Sequence, residues 1–333
     1  MERPQAAAIF GAGIADQVLS GVDRARWERL VDADGLHTST ESLLATPQLA
    51  QVQVLLTGWG GPRLRPELLA RMPALQLVLY AAGSVRHLAT DEFWDREIAL
   101  VSAADANNEP VADYVHAAIV MALKGEHHAQ AHLRRERSYP SDQGHLGIYG
   151  QIVGLVGFGS IARKVAARLR ALETTLLVFD PYLTAADAED HGVERVETLV
   201  DLFERSQVVS VHAPWISGVN DGMIGRSELE ALPHGAAFLN TARGALVDEA
   251  ALADVLRARP DLFANLDVTR PEPPEPDSPL WDLPNVRLTG HIAGSIGTER
   301  TRLGRLVIDE LERWLAGQEL RHRVTAEEAR TRA

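Results

Sequence analysis

The stretch QIVGLVGFGSIARKVAARLRALETTLLVFDPY (151–182) decides the fold. An apolar run, QIVGLV, ends in Gly157-Phe158-Gly159-Ser160-Ile161-Ala162. A helical pattern follows, and then a second apolar run, TLLVF, stops at Asp180. A lone G-x-G-x-x-A says little. Here it follows a strand, opens a helix and is trailed by an acidic residue about 20 positions on, which together define a dinucleotide fingerprint. Gly157 permits the tight turn, Gly159 lets backbone approach a pyrophosphate, and Ala162 is small enough for helix and sheet to pack. Free N–H groups, with the helix dipole, favour an anion there. Asp180 is placed to accept hydrogen bonds from ribose hydroxyls and to repel a 2′-phosphate, so the loop reads as an NAD site.

Working outward, short apolar runs alternate with helical patterns almost throughout, which indicates an α/β protein with parallel sheets. The second half offers six strands: 151–156, 175–179, 208–212, 236–240, 263–267 and 286–289. They make one doubly wound unit. The first third offers four more, at 6–10, 52–57, 75–80 and 98–102. A helix is expected from Pro110 to Arg137, with Pro110 in its first turn. DEAALADVLRAR (248–259) begins with acidic residues that suit a helix N-terminus. A tail helix over 298–317 is expected to return to the first domain. The expected division is a substrate domain of residues 1–112 and 298–333 around a cofactor domain of 113–297.

Bulk properties narrow the function. The 333 residues carry 33 basic and 46 acidic side chains, a formal charge of −13. Nucleic acid needs a basic face, so a general affinity for it is excluded. There is no cysteine, which removes disulfides, thiolate catalysis and Cys-ligated metal. The histidines form no close metal-binding pattern, so no metal site is expected. No run approaches the ~20 apolar residues of a membrane span, and the opening MERPQAAAIFGAG does not read as a signal peptide. A soluble cytoplasmic protein is expected. Lys124 and Lys164 are the only lysines, a coding bias of the kind GC-rich bacterial genomes show.

Ligands of open α/β sheets bind beyond the carboxyl ends of the strands. Polar residues gather there. His212 ends VVSVH; Asn240, Thr241 and Arg243 follow a strand in LNTARG; Asp267 ends FANLD; Glu272 lies in the next loop; His291 follows VRLT. Each has a bland alternative. Arg243 suits a surface ion pair, Glu272 a solvated loop, and a lone His after a strand a structural role. The small residues around His291, in LTGHIAGS, and its company with Arg243 and Glu272 favour function.

The motifs GLVGFGSIA, VFDPY, VSVHAPW, FLNTARGALVDEAAL, LDVTRPEP and LTGHIAGS occur in order. With them the chain resembles the D-isomer-specific 2-hydroxyacid dehydrogenases, from about Asn107 to Glu310 and more loosely before. The resemblance implies a Rossmann-type cofactor domain inserted in a flavodoxin-like substrate domain. It implies a homodimer that reduces a 2-oxo acid with NAD as cofactor. Arg243, Glu272 and His291 map to the family's catalytic Arg, Glu and His. Gly157, Phe158, Gly159, Ser160, Ile161, Asp180, His212, Ala213, Pro214, Thr241, Ala242, Asp267 and Gly294 map to the cofactor site, with Thr241 and Asp267 near the nicotinamide end. The backbone of Ala82, Gly83 and Ser84 maps to the substrate carboxylate site. The form AAGSVR departs from the usual loop there. Gly290 stands where a proline commonly precedes the His, and Ala162 replaces a third glycine.

In the implied chemistry Arg243 binds the 2-oxo acid with its guanidinium fork. His291 gives a proton to the carbonyl oxygen, and Glu272 favours the protonated ring. Two rivals stand beside this reading. A formate dehydrogenase would carry Gln at the Glu272 position. An NAD(H)-sensing regulator would carry a docking segment, and none is expected in a chain that ends at Ala333.

Overall fold

The computed structural model describes residues 3–139 and 147–331. The chain divides into two compact units, Met1–Asn108 with Ser295–Ala333, and Glu109–Gly294. The divisions fall at 108/109 and 294/295, against 112/113 and 297/298 read from the sequence.

The first unit holds β1 (Gln5–Ile9), β2 (Asp32–His37), β3 (Val54–Thr57), β4 (Leu77–Tyr80) and β5 (Ala99–Ser102). Their order is β2-β1-β3-β4-β5, every pair parallel. That is the flavodoxin-like order. VLLT and LVLY, the middle strands, are buried at every position, because a parallel sheet is covered on both faces. β2, DADGLH, lies at the sheet edge and is mostly exposed. It carries no apolar run, so the sequence offered four strands where there are five. The tail helix Arg300–Leu315 packs in this unit, beside β4 and β5. Arg26 fastens it to the helix Gly21–Leu30 by donating to Asp309 at 2.7 Å and Glu312 at 3.1 Å.

The second unit holds β6 (Ile152–Val156), β7 (Thr175–Phe179), β8 (Glu194–Arg195), β9 (Val208–Val211), β10 (Ala237–Asn240), β11 (Phe263–Leu266) and β12 (Val286–Leu288). The order is β12-β11-β10-β9-β6-β7-β8, again all parallel. This is the Rossmann order with one strand added, and its switch point lies between β6 and β9. The strand ends of this unit that carry candidate site residues therefore share one edge. β8 has two residues, both exposed, and left no apolar signal.

One expected helix is corrected. Pro110 is interior to the helix Ala104–Leu123, and a second helix, Glu126–Glu136, follows Gly125. Proline at that depth forgoes one backbone hydrogen bond. The apolar face of Val111, Ala112, Val115 and Ile119, all buried, supplies the compensating packing. Asp248 caps Glu249–Ala258 as its acidic start implies, accepting from the Ala251 N–H at 3.0 Å.

Candidate active site

The cofactor loop is built by close approach. Gly157 has φ +90°, and a Cβ there would stand 2.6 Å from the Ala213 backbone nitrogen. The end of β9 is thus pressed against the turn. At Gly159 a Cβ would meet nothing within 4 Å, so open space adjoins the loop. Gly159 is the N-cap of Ser160–Leu169 and supplies no side chain to its first-turn N–H groups. Asp180 accepts from the Phe158 N–H at 2.7 Å and the Tyr182 N–H at 2.8 Å.

Two buried polar atoms on this edge, His212 Nε2 and Thr241 Oγ1, have no hydrogen-bond partner among the described residues. Buried polar groups rarely go unpaired without a reason. An open cradle beside a glycine turn, uncapped N–H groups and orphaned donors and acceptors fit a dinucleotide.

Burial pushes the His212 imidazole down to about pKa 4 from an ordinary 6.5. The unfolded chain protonates this ring near pH 6.5 and the folded chain resists until about pH 4. Between those values the unfolded state binds more protons, so stability falls as the pH drops through that window. The loss attributable to this ring is about 3 kcal/mol. Urea titrations of the protein and of His212→Asn at pH 7 and pH 4.5 measure it. Equal losses in both would remove His212 as the source.

Beyond β10, Asn240 shapes the turn that carries Arg243. Its Oδ1 accepts from the Ala242 N–H at 3.0 Å, and its Nδ2 donates to the Arg243 carbonyl at 2.9 Å. Burial pushes the Arg243 pKa down, and the Glu272 carboxylate opposes that shift. The two side chains are therefore electrostatic neighbours. What brings them together is Gly244, which sequence reasoning passed over. A Cβ on it would stand 2.1 Å from the Thr269 carbonyl carbon and 2.3 Å from its oxygen. The loop that leads to Glu272 lies directly on Gly244. Gly244→Ala should thus cost about 1–3 kcal/mol by overpacking and displace Glu272 from Arg243. Thermal melts beside Gly21→Ala, which has open space, check this; equal melting temperatures would contradict it.

Beyond β12 lies His291. Its Nδ1 is 2.7 Å from Glu272 Oε1, and the two side chains are 48% and 41% exposed. Nδ1 is thereby engaged by the Glu272 carboxylate. His291 adopts φ 55°, a left-handed conformation uncommon outside glycine. Asp267 holds it there. The Asp267 carbonyl accepts from the His291 N–H at 2.9 Å. Its carboxylate accepts from the Ile292 and Ala293 N–H groups, each at 2.8 Å, and from the Thr289 hydroxyl at 2.6 Å. Asp267 is 1% exposed. Its carboxylate, assigned from the sequence to the nicotinamide end, is engaged by the loop that carries His291. A Cβ at neighbouring Gly290 would meet nothing within 4 Å.

The structure thus puts Arg243, Glu272 and His291 in one unit with Gly157–Ile161, Asp180, His212–Pro214, Thr241, Ala242, Asp267 and Gly294. Ala82, Gly83 and Ser84 belong to the other. There they follow β4, with the Ser102 hydroxyl donating to the Gly83 carbonyl at 2.7 Å. No helix among the described residues is long and apolar enough to cross a membrane.

Residues 116–293 match the model of the D-isomer specific 2-hydroxyacid dehydrogenase family, NAD binding domain. The chain belongs to this family, and its cofactor is NAD. It is similar to (S)-sulfolactate dehydrogenase of Chromohalobacter salexigens, 35% identical over 254 residues, which span 76% of this chain and 82% of that protein. It is similar to D-3-phosphoglycerate dehydrogenase of Mycobacterium leprae, 34% identical over 76% of this chain. That match spans 47% of the relative, about half its length. Among solved structures it is similar to an NADPH-dependent glyoxylate/hydroxypyruvate reductase from Sinorhizobium meliloti in complex with citrate. The TM-score is 0.75 and the identity 25%, over 99% of this chain and all of that one.

Proposed function

We propose that the protein reduces a 2-oxo acid to a D-2-hydroxy acid with NADH, as a cytoplasmic homodimer. The observation that carries this reading is the His291–Glu272 pair at 2.7 Å, on a loop fixed in a left-handed turn, with the Arg243 guanidinium in electrostatic reach of the same carboxylate. NADH, when bound, supplies the hydride. Arg243 binds the carboxylate and carbonyl oxygens of the substrate, a task its planar fork suits. His291 holds a proton at Nε2 and delivers it to the carbonyl oxygen; in the reverse direction Nε2 takes it back. Glu272 fixes the ring through Nδ1. Glutamate at that position is the reason to prefer this chemistry over formate oxidation, which has no proton to place.

The names of the relatives set the substrate panel: glyoxylate, hydroxypyruvate, and 2-oxo acids with a sulfonate or phosphate group. NADH oxidation followed by absorbance, with NADPH controls, tests the proposal. Turnover of one panel member supports it. Tight NADH binding with no turnover on any member would overturn it and favour a sensor.

A further inference from the structure

We infer that Arg163 is a positioning residue for the cofactor loop, acting through Phe158. Phe158 sits between Gly157 and Gly159, where the chain has least stiffness of its own. Its N–H is held by Asp180 at 2.7 Å. Its carbonyl accepts from Arg163 Nε at 3.1 Å. Its ring is 3% exposed, with the Arg163 guanidinium 5.0 Å from the centroid and the His191 ring edge-on at 5.4 Å. Both backbone groups and the side chain of this one residue are therefore fixed.

Arg163 is itself held in place. His191 Nδ1 lies 2.9 Å from the Asp187 carbonyl. A carbonyl only accepts, so Nδ1 carries the proton and Nε2 is an acceptor. Arg163 Nη1 donates to that Nε2 at 3.0 Å. The end of the helix Ala185–His191 thereby braces Arg163, and Arg163 braces the loop. A loop fixed before the ligand arrives loses less entropy on binding. The clamp should therefore appear as NADH affinity, independent of which 2-oxo acid is reduced.

A rival role for Arg163 is plain attraction between its charge and the cofactor phosphates. Glutamine separates the two, since its Nε2 stands at the same point along the side chain as arginine Nε. Arg163→Gln keeps a donor for the Phe158 carbonyl and removes the charge together with the Nη1 brace to His191, so it isolates the carbonyl hydrogen bond as the main part of the clamp. Arg163→Ala removes both. NADH titrations by fluorescence on the full chain should show about fivefold weaker binding for Arg163→Ala, the effect of one lost hydrogen bond. Arg163→Gln should stay within about twofold of the parent. With the clamp gone, KM for NADH should rise with Kd while kcat at saturating NADH changes little. Equal weakening in both variants would overturn the inference that the hydrogen bond to the Phe158 carbonyl holds the loop, in favour of the charged guanidinium group. Unchanged NADH affinity in Arg163→Ala, even with a lowered melting temperature, would overturn it in favour of a merely structural contact.

Discussion

Replacing His291 with alanine is expected to lower turnover of the preferred 2-oxo acid by roughly 10²–10⁴-fold, the range for a positioned general acid. The ring is anchored through Nδ1 to Glu272 at 2.7 Å, so in the proposed mechanism the transferred proton sits on Nε2. Alanine has no proton to give, and water at an exposed position cannot be held in its place. NADH affinity should change little, because the role proposed for the ring is proton transfer and not cofactor binding. Glu272→Gln should fall between parent and His291→Ala, since an amide can still orient the ring but no longer compensates its charge. Steady-state rates at saturating NADH decide the matter. Undiminished turnover in His291→Ala would remove the proton-donor role. A loss of NADH binding in step with the rate would point instead to a cofactor contact.

The parts of this protein legible in its sequence are those in which one element carries its own signal. The strand–glycine–helix–strand unit at 151–182 is local, and the middle strands of both sheets announce themselves because each is buried on two faces. β2 and β8 lie at edges, where a strand needs no apolar run, and both were passed over. The motif residues of the proposed catalytic set were legible for a different reason: their order matches a family. Pairwise closeness was not legible. Gly244 reads as an ordinary small residue until Thr269 is found against it. Asp267 reads as a polar strand end until residues 22 and 26 positions away are found donating to it. Arg163 reads as one more arginine on the exposed side of a helix. For Gly244, for Asp267 and for the His191 side of Arg163, the contact is made between segments whose separation the tertiary fold alone determines; the Arg163–Phe158 contact is local, five residues apart, but nothing in the residue types announces it.

Asp267 supplies the second large expected effect. Its two carboxylate oxygens receive two backbone N–H groups and a hydroxyl from residues 289–293, next to a His291 in a conformation that costs about 1–2 kcal/mol in a non-glycine residue. Removing the carboxylate leaves the Ile292 and Ala293 N–H groups without acceptors. A buried donor left unsatisfied costs about 1–3 kcal/mol, so Asp267→Ala should destabilise the protein by several kcal/mol. It should also release His291 from its strained turn. Asparagine is no substitute, because Oδ1 and Oδ2 both accept N–H groups and an amide turns a donor toward one of them. Asp267→Asn should therefore also lower kcat at saturating NADH, by about tenfold or more, an amount in keeping with a misplaced catalytic group. The alternative, that Asp267 serves only the nicotinamide end, predicts a different split. NADH affinity would then fall in Asp267→Asn while kcat at saturating NADH stayed near the parent value. Measuring both constants on this one variant separates a residue that holds His291 from one that only holds the cofactor.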